Sequence, residues 1–98
     1  MENNENSARC TCELKDGVIA VHFKRELADP EDLAREPLLY MYRIIGVAID
    51  ADTGKRMVVY KALYGDLEMY VRDEAEFLSE VDRVKYPYVR QIYRFELC

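Results

Sequence analysis

The sequence lacks most of the features that announce a chemistry. It contains one histidine, His22, and three cysteines, Cys10, Cys12 and Cys98. An odd cysteine count is a poor disulfide framework. Cys10-Thr11-Cys12 fits no standard zinc spacing, because zinc takes four ligands and only His22 and Cys98 are left to complete a set. No metal and no cofactor is therefore expected. There is no phosphate-binding glycine loop, dinucleotide glycine motif, HExxH pair or nucleophile elbow, and no residue is assigned a catalytic role. No stretch approaches the ~18–20 apolar residues that span a bilayer, so no membrane partner is expected. The opening "MENNENSARC" is polar and does not read as a signal peptide. The expected location is the cytoplasm, with reduced thiols. Charges of both signs are scattered without blocks, and the net charge of −5 disfavours non-specific DNA binding.

What is present is a chain of 98 residues, half of them hydrophobic, which suits one small domain. Residues 1–14 carry almost nothing to bury and read as a disordered tail; residues 15–98 read as a single β domain. "GVIAVHFK" (17–24) alternates, and Ile19, Val21 and Phe23 are the cleaner apolar set, expected on the core with His22 and Lys24 pointing away. "ADPEDLAREP" (28–37) reads as a short helix, with Asp29 as cap, Pro30 in the first position and Pro37 as its stop. Residues 40–50 and 56–64 read as an antiparallel hairpin closed by "DTGK", with Gly54 supplying positive φ. Gly46 inside the first run marks a bulge or sharp bend. "LEMYVR" (67–72) is a further strand, with Leu67, Met69 and Val71 expected inward and Glu68, Tyr70 and Arg72 outward. Asp73 with Glu76 resembles a capping box, followed by an apolar stripe of Phe77, Leu78 and Val81. "QIYRFEL" ends the domain, with Tyr93, Phe95 and Leu97 on one face, and Arg94 and Glu96 on the other as a solvated or cross-strand pair. The expected fold is mainly β: a small, strongly bent antiparallel sheet or SH3-like barrel with one or two short helices.

Several of these pieces together resemble domain-of-unknown-function family 1653. They are "HFK" (22–24), "YRIIGVA" (42–48), "TGKRMVVYKALYGD" (53–66), "YVR" (70–72), "FL" (77–78) and "YRF" (93–95). The resemblance spans about residues 17–96. It implies a compact, mostly β, bacterial domain and no particular reaction. The chain departs from the pattern in two places. Where members have a short glycine turn after the HFK-like strand, this chain has Arg25 and an inserted segment. Where members have Trp-Val-Arg-Pro, it has Tyr70, Val71, Arg72 and Asp73.

The candidate binding residues are His22, Lys24, Tyr60, Tyr64, Tyr70 and Arg72. Tyrosines offer flat faces with a polar tip, and arginine pairs with anions or stacks. The first expectation is a non-catalytic binding module for a small anionic ligand, RNA or a peptide, its candidate side chains partly exposed on one surface. A second is a small enzyme with His22 as general acid or base beside Asp66 or Glu68. A third is a structural self-association module, which leaves a homodimer open. Against all of these stands the plainer reading of tyrosine as sheet filler, for which its strand preference is sufficient. Tyr64-Gly65-Asp66 likewise reads first as a turn.

Overall fold

The Asp-Thr-Gly turn organises the centre of the sheet. In the computed structural model, which describes residues 13–97, β2 (Met41–Ile49) and β3 (Arg56–Ala62) pair antiparallel from Tyr42↔Ala62 to Ile49↔Arg56. The Asp50 carboxylate accepts the backbone N–H groups of Asp52 and Thr53, and Gly54 takes φ +76°. This is the hairpin that the sequence implies. The register shifts between Ile44 and Gly46, so the glycine does lie at a bulge.

On one side β3 pairs with β4 (Met69–Asp73), and on the other β2 pairs with β1 (Ile19–His22), which pairs in turn with β5 (Phe95–Leu97). The order is β4-β3-β2-β1-β5, all antiparallel. β4 and β5 are both edges. The sheet is open, so of the two expected forms the sheet is realised and the barrel is not.

Two short helices accompany it. α1 (Pro30–Arg35) starts with Pro30 at its first turn, although Asp29 makes no side-chain cap bond. α2 (Glu74–Phe77) is capped by Asp73, whose carboxylate accepts from the N–H groups of Ala75 and Glu76 at 2.9 and 3.2 Å. The main core cluster joins Ala20, Tyr42, Ile44, Val58, Tyr60, Ala62, Phe77, Phe95 and Leu97; Leu14, at the boundary of the expected tail, packs against it. Most of that tail, with Cys10 and Cys12, and also Cys98, lies outside the described residues.

Two facial assignments are reversed. On β1 it is Ala20, fully buried, that joins the core; His22 lies on the same face, and Ile19 and Val21 are only partly buried. The strand ends at His22, where a 3-10 segment (Phe23–Leu27) turns Phe23 into a second cluster with Val81, Val89 and Tyr86. On β4, Met69 and Val71 are exposed (60% and 59%) while Arg72 turns inward to the Tyr60 hydroxyl. β4 is an edge strand, so nothing forces its more apolar side onto the core.

Phe77 and Phe95 stack with centroids 4.1 Å apart and planes 8° from parallel. Both are among the largest fully buried side chains. Phe77→Ala is expected to lower unfolding stability by about 3–5 kcal/mol in urea denaturation; a loss below ~1 kcal/mol would contradict this account of the core.

Candidate functional site

The inner face of the sheet ends in two adjoining cavities. One, of about 180 Å³, is walled by His22, Tyr42, Tyr60, Tyr70, Arg72 and Phe95. The other, of about 240 Å³, is lined by His22, Phe23, Lys24 and Arg72 from the sheet side, by Asp82, Lys85 and Tyr86 from a loop, and by Arg94. His22 and Arg72 belong to both.

Strand alternation explains the first cavity. Tyr60 stands opposite Tyr70 across β3 and β4, and His22 opposite Phe95 across β1 and β5. The rings meet at Tyr42, which contacts Tyr60, Tyr64, Tyr70 and Phe95 with centroid distances of 5.3–6.2 Å, mostly edge to face. The Tyr42 and Tyr64 hydroxyls are 2.6 Å apart. Burial, and then this bond, raise the pKa of Tyr42 far above the usual phenol range; burial also raises that of Tyr64. Both hydroxyls keep their protons at neutral pH.

The loop that supplies the second cavity is fixed by side-chain bonds. The Glu26 carboxylate accepts the N–H groups of Arg90 and Gln91, and these bonds hold its pKa low. The Gln91 amide donates to the Val21 and Tyr93 carbonyls, and Arg83 donates to those of Val89 and Gln91. Asp82 accepts from the N–H groups of Val84 and Lys85, which turns the chain at the cavity rim.

Arg72 is positioned by a 3.3 Å bond from its Nε to the Tyr60 hydroxyl and lies 3.6 Å from Glu76; the Tyr60 bond leads in raising its pKa. Arg94 donates from Nε to Ser79 Oγ at 3.3 Å rather than pairing with Glu96. Among the described residues, no carboxylate forms an ion pair with Lys24, Lys85 or Arg94.

His22 Nδ1 accepts the backbone N–H of Lys24 at 3.0 Å. The neutral imidazole therefore carries its proton on Nε2. The ring stacks on Phe23 at 4.5 Å and meets the Phe95 ring edge to face at 4.9 Å. Burial, reinforced by the charges of Lys24, Arg94 and Arg72, lowers its pKa from 6.5 to about 4. Asp66 and Glu68 are exposed, and neither bonds to His22. Among the described residues no group of three His, Cys, Asp or Glu side chains is placed to hold a metal.

Of the candidate residues, His22, Tyr60, Tyr70 and Arg72 therefore share one cavity, and Lys24 joins His22 and Arg72 in the next. Tyr64 lines neither and stands behind Tyr42. Tyr60 is only 4% exposed and presents its hydroxyl to Arg72 rather than a ring face to solvent, which corrects the expectation that it is partly exposed. Sequence reasoning missed Tyr42, Lys85, Arg94 and Phe95 as wall residues. The alternation Tyr42-Arg43-Ile44 does set Tyr42 beside a core residue, and Phe95 read as core. Lys85 lies in a loop whose path no local signal marks.

A family model described as Protein of unknown function (DUF1653) matches residues 20–97, and the chain belongs to that family. Every wall residue of both cavities falls inside the matched span. No curated protein and no solved structure matches the chain. Among the described residues no helix is long and apolar enough to cross a membrane.

The lowered His22 pKa makes stability depend on pH in a definite direction. The unfolded chain takes up this proton near pH 6.5, while the folded chain resists it until about pH 4. Folding stability contributed by neutral His22 is thus present above pH 6.5 and lost as the pH falls from 6.5 to 4. Each pKa unit is worth about 1.4 kcal/mol, and solvent screening of the half-buried ring reduces the total to about 1–2 kcal/mol. His22→Gln should flatten this part of the pH–stability curve in chemical denaturation; an unchanged slope would show that His22 titrates normally.

Proposed function

We propose that the protein is a non-catalytic binding module whose cleft takes a small anionic ligand. The carrying observation is that Lys24, Arg72, Lys85 and Arg94 converge on one cavity, against Asp82 in its wall and Glu76 3.6 Å from Arg72, in a chain of net charge −5. Cations gathered in a cleft with low-dielectric walls focus a local positive potential that the overall charge does not cancel. His22 also lines this cavity, its Nδ1 taken by the Lys24 N–H. A cavity of about 240 Å³ suits a compact anionic group better than an RNA strand or an extended peptide. Catalysis by His22 is the weaker reading, since its Nδ1 is occupied by a backbone N–H and its low pKa makes it a poor base at neutral pH. A cytoplasmic setting in a bacterium is compatible with this reading and with an odd cysteine count.

A second reading is self-association. β4 is an edge strand, and Leu67, Met69 and Val71 are exposed on or beside it. A second copy pairing antiparallel about Val71 would set each Tyr70 across from the partner's Arg72, a favourable cross-strand combination. Sedimentation at high concentration should then show a dimer that Val71→Lys disperses; a wild-type protein that stays monomeric at millimolar concentration removes this reading.

The binding proposal is tested by titrating isotope-labelled protein with inorganic phosphate and following amide shifts. Saturable shifts are expected at residues 22–24, 72, 82–86 and 94. The double variant Lys24→Ala, Lys85→Ala should weaken the binding about tenfold or more. Its melting temperature should change little, because both side chains lie outside the core. Absence of saturable shifts, or a variant that binds as tightly as wild type, overturns the proposal.

A further inference from the structure

The inserted segment after the HFK piece builds a third cavity, which the binding module described above does not use. It measures about 560 Å³; its apolar walls are Leu27, Ala28, Pro30, Leu39 and Tyr40, joined by Lys24, Asp29 and Asp32. Leu27 is 54% exposed. Asp32 pairs with Arg35, but among the described residues Asp29, Glu31 and Glu36 form no ion pair, and Asp29 makes no capping bond. Residues 27–36 thus carry four carboxylates against one arginine, and Lys24 on the wall leaves the balance negative.

A second feature answers it in shape and charge. Val81 and Val89 bury the two ends of a loop beside Phe23, and Asp82 and Arg83 bond its backbone from within. Between those anchors Val84 and Tyr88 are 94% and 93% exposed. Residues 82–90 hold Arg83, Lys85 and Arg90 against Asp82, and the bonds of Arg83 go to carbonyls, which leave its charge uncancelled. Lys24 lines both the insert cavity and the cationic cavity that Lys85 and Tyr86 wall, so the loop and the insert cavity are neighbours on the molecule.

We propose that this face joins two copies of the chain, the 82–90 loop of each entering the insert cavity of the other, with Tyr88 and Val84 against Leu27, Pro30 and Leu39. Size permits it: a cavity of roughly 150 Å³ accepts benzene, and about 560 Å³ holds the Tyr88 ring with room for Val84 beside it. Charge favours it, since a basic loop meets an acidic rim. Because loop and cavity are neighbours, one two-fold axis makes both contacts at once and closes the dimer. The loop is already held by its own bonds, so little ordering entropy is lost on docking, and tyrosine is a common interface anchor. This contact is separate from β4, and Val71 plays no part in it.

The test is sedimentation of the full chain up to millimolar concentration. Wild type is expected to form a dimer that weakens as salt is raised. Tyr88→Ala should weaken it about thirtyfold or more, because each dimer loses two aromatic anchors; Leu27→Arg should do the same from the cavity side. Both side chains are exposed, so the melting temperature of each variant should match wild type. Mixed in equal amounts, the two variants should form a tighter dimer than either does alone, because one intact loop then meets one intact cavity. Val71→Lys should leave the dimer unchanged, which separates this contact from pairing along β4. A monomeric wild type, a Tyr88→Ala variant that dimerises like wild type, a mixture no better than its components, or a dimer that only Val71→Lys disperses overturns the proposal.

Discussion

The face-to-face stack of Phe77 on Phe95 is the contact on which the rest of the molecule depends. Phe95 belongs to β5, one edge of the sheet; Phe77 belongs to α2, which follows β4 at the other edge. Tyr60 on β3 touches both rings, at 5.1 and 5.5 Å. In a flat sheet β3 and β5 would lie about 14 Å apart. Ring contact between them therefore requires the sheet to curl around its inner face. That curl makes the face concave, and a concave face lined with tyrosines is what leaves a cavity where the rings stop.

The chemistry of the cleft follows from its place at the margin of that core. Toward the interior there is only ring surface; toward solvent the side chains become Lys24, Arg72, Lys85 and Arg94. Arg72 joins the two zones, since its Nε is held by the buried Tyr60 hydroxyl while its charge faces the cationic cavity. His22 also belongs to both, and burial among cations keeps it neutral. An anion entering the cleft meets charges against low-dielectric walls, where attraction is stronger than on an open surface. At longer range the net charge of −5 repels polyanions. Under the proposed function, the two effects together would favour a small ligand over nucleic acid.

Much of this fold is legible in the chain because some residues have one physical use. Gly54 in "DTGK" answers the need for positive φ in the hairpin, Gly46 marks the bulge, and Asp73 caps α2. The facing of β1 and β4 is not legible. Both strands carry apolar residues on alternate positions, and hydrophobicity alone chose Ile19 and Val21, and Met69 and Val71, for the core. The structure instead buries Ala20 and turns Arg72 inward to bond Tyr60. The candidate site was half legible for the same reason. The "HFK" and "YVR" pieces supply His22, Lys24 and Arg72, whereas Lys85 and Arg94 reach the cleft through a loop path set by Glu26, Arg83 and Gln91, whose bonds span up to 70 residues of sequence.

The most direct test of the account is the titration of the single histidine, read by NMR of the imidazole ring, with and without inorganic phosphate. The account holds that His22 titrates near pH 4 in the free protein and at higher pH when phosphate is bound, because the bound anion offsets Lys24, Arg72 and Arg94 and stabilises the imidazolium. A midpoint near 6.5 that phosphate leaves unmoved would contradict it, since His22 would then lie outside any cationic, anion-binding cleft.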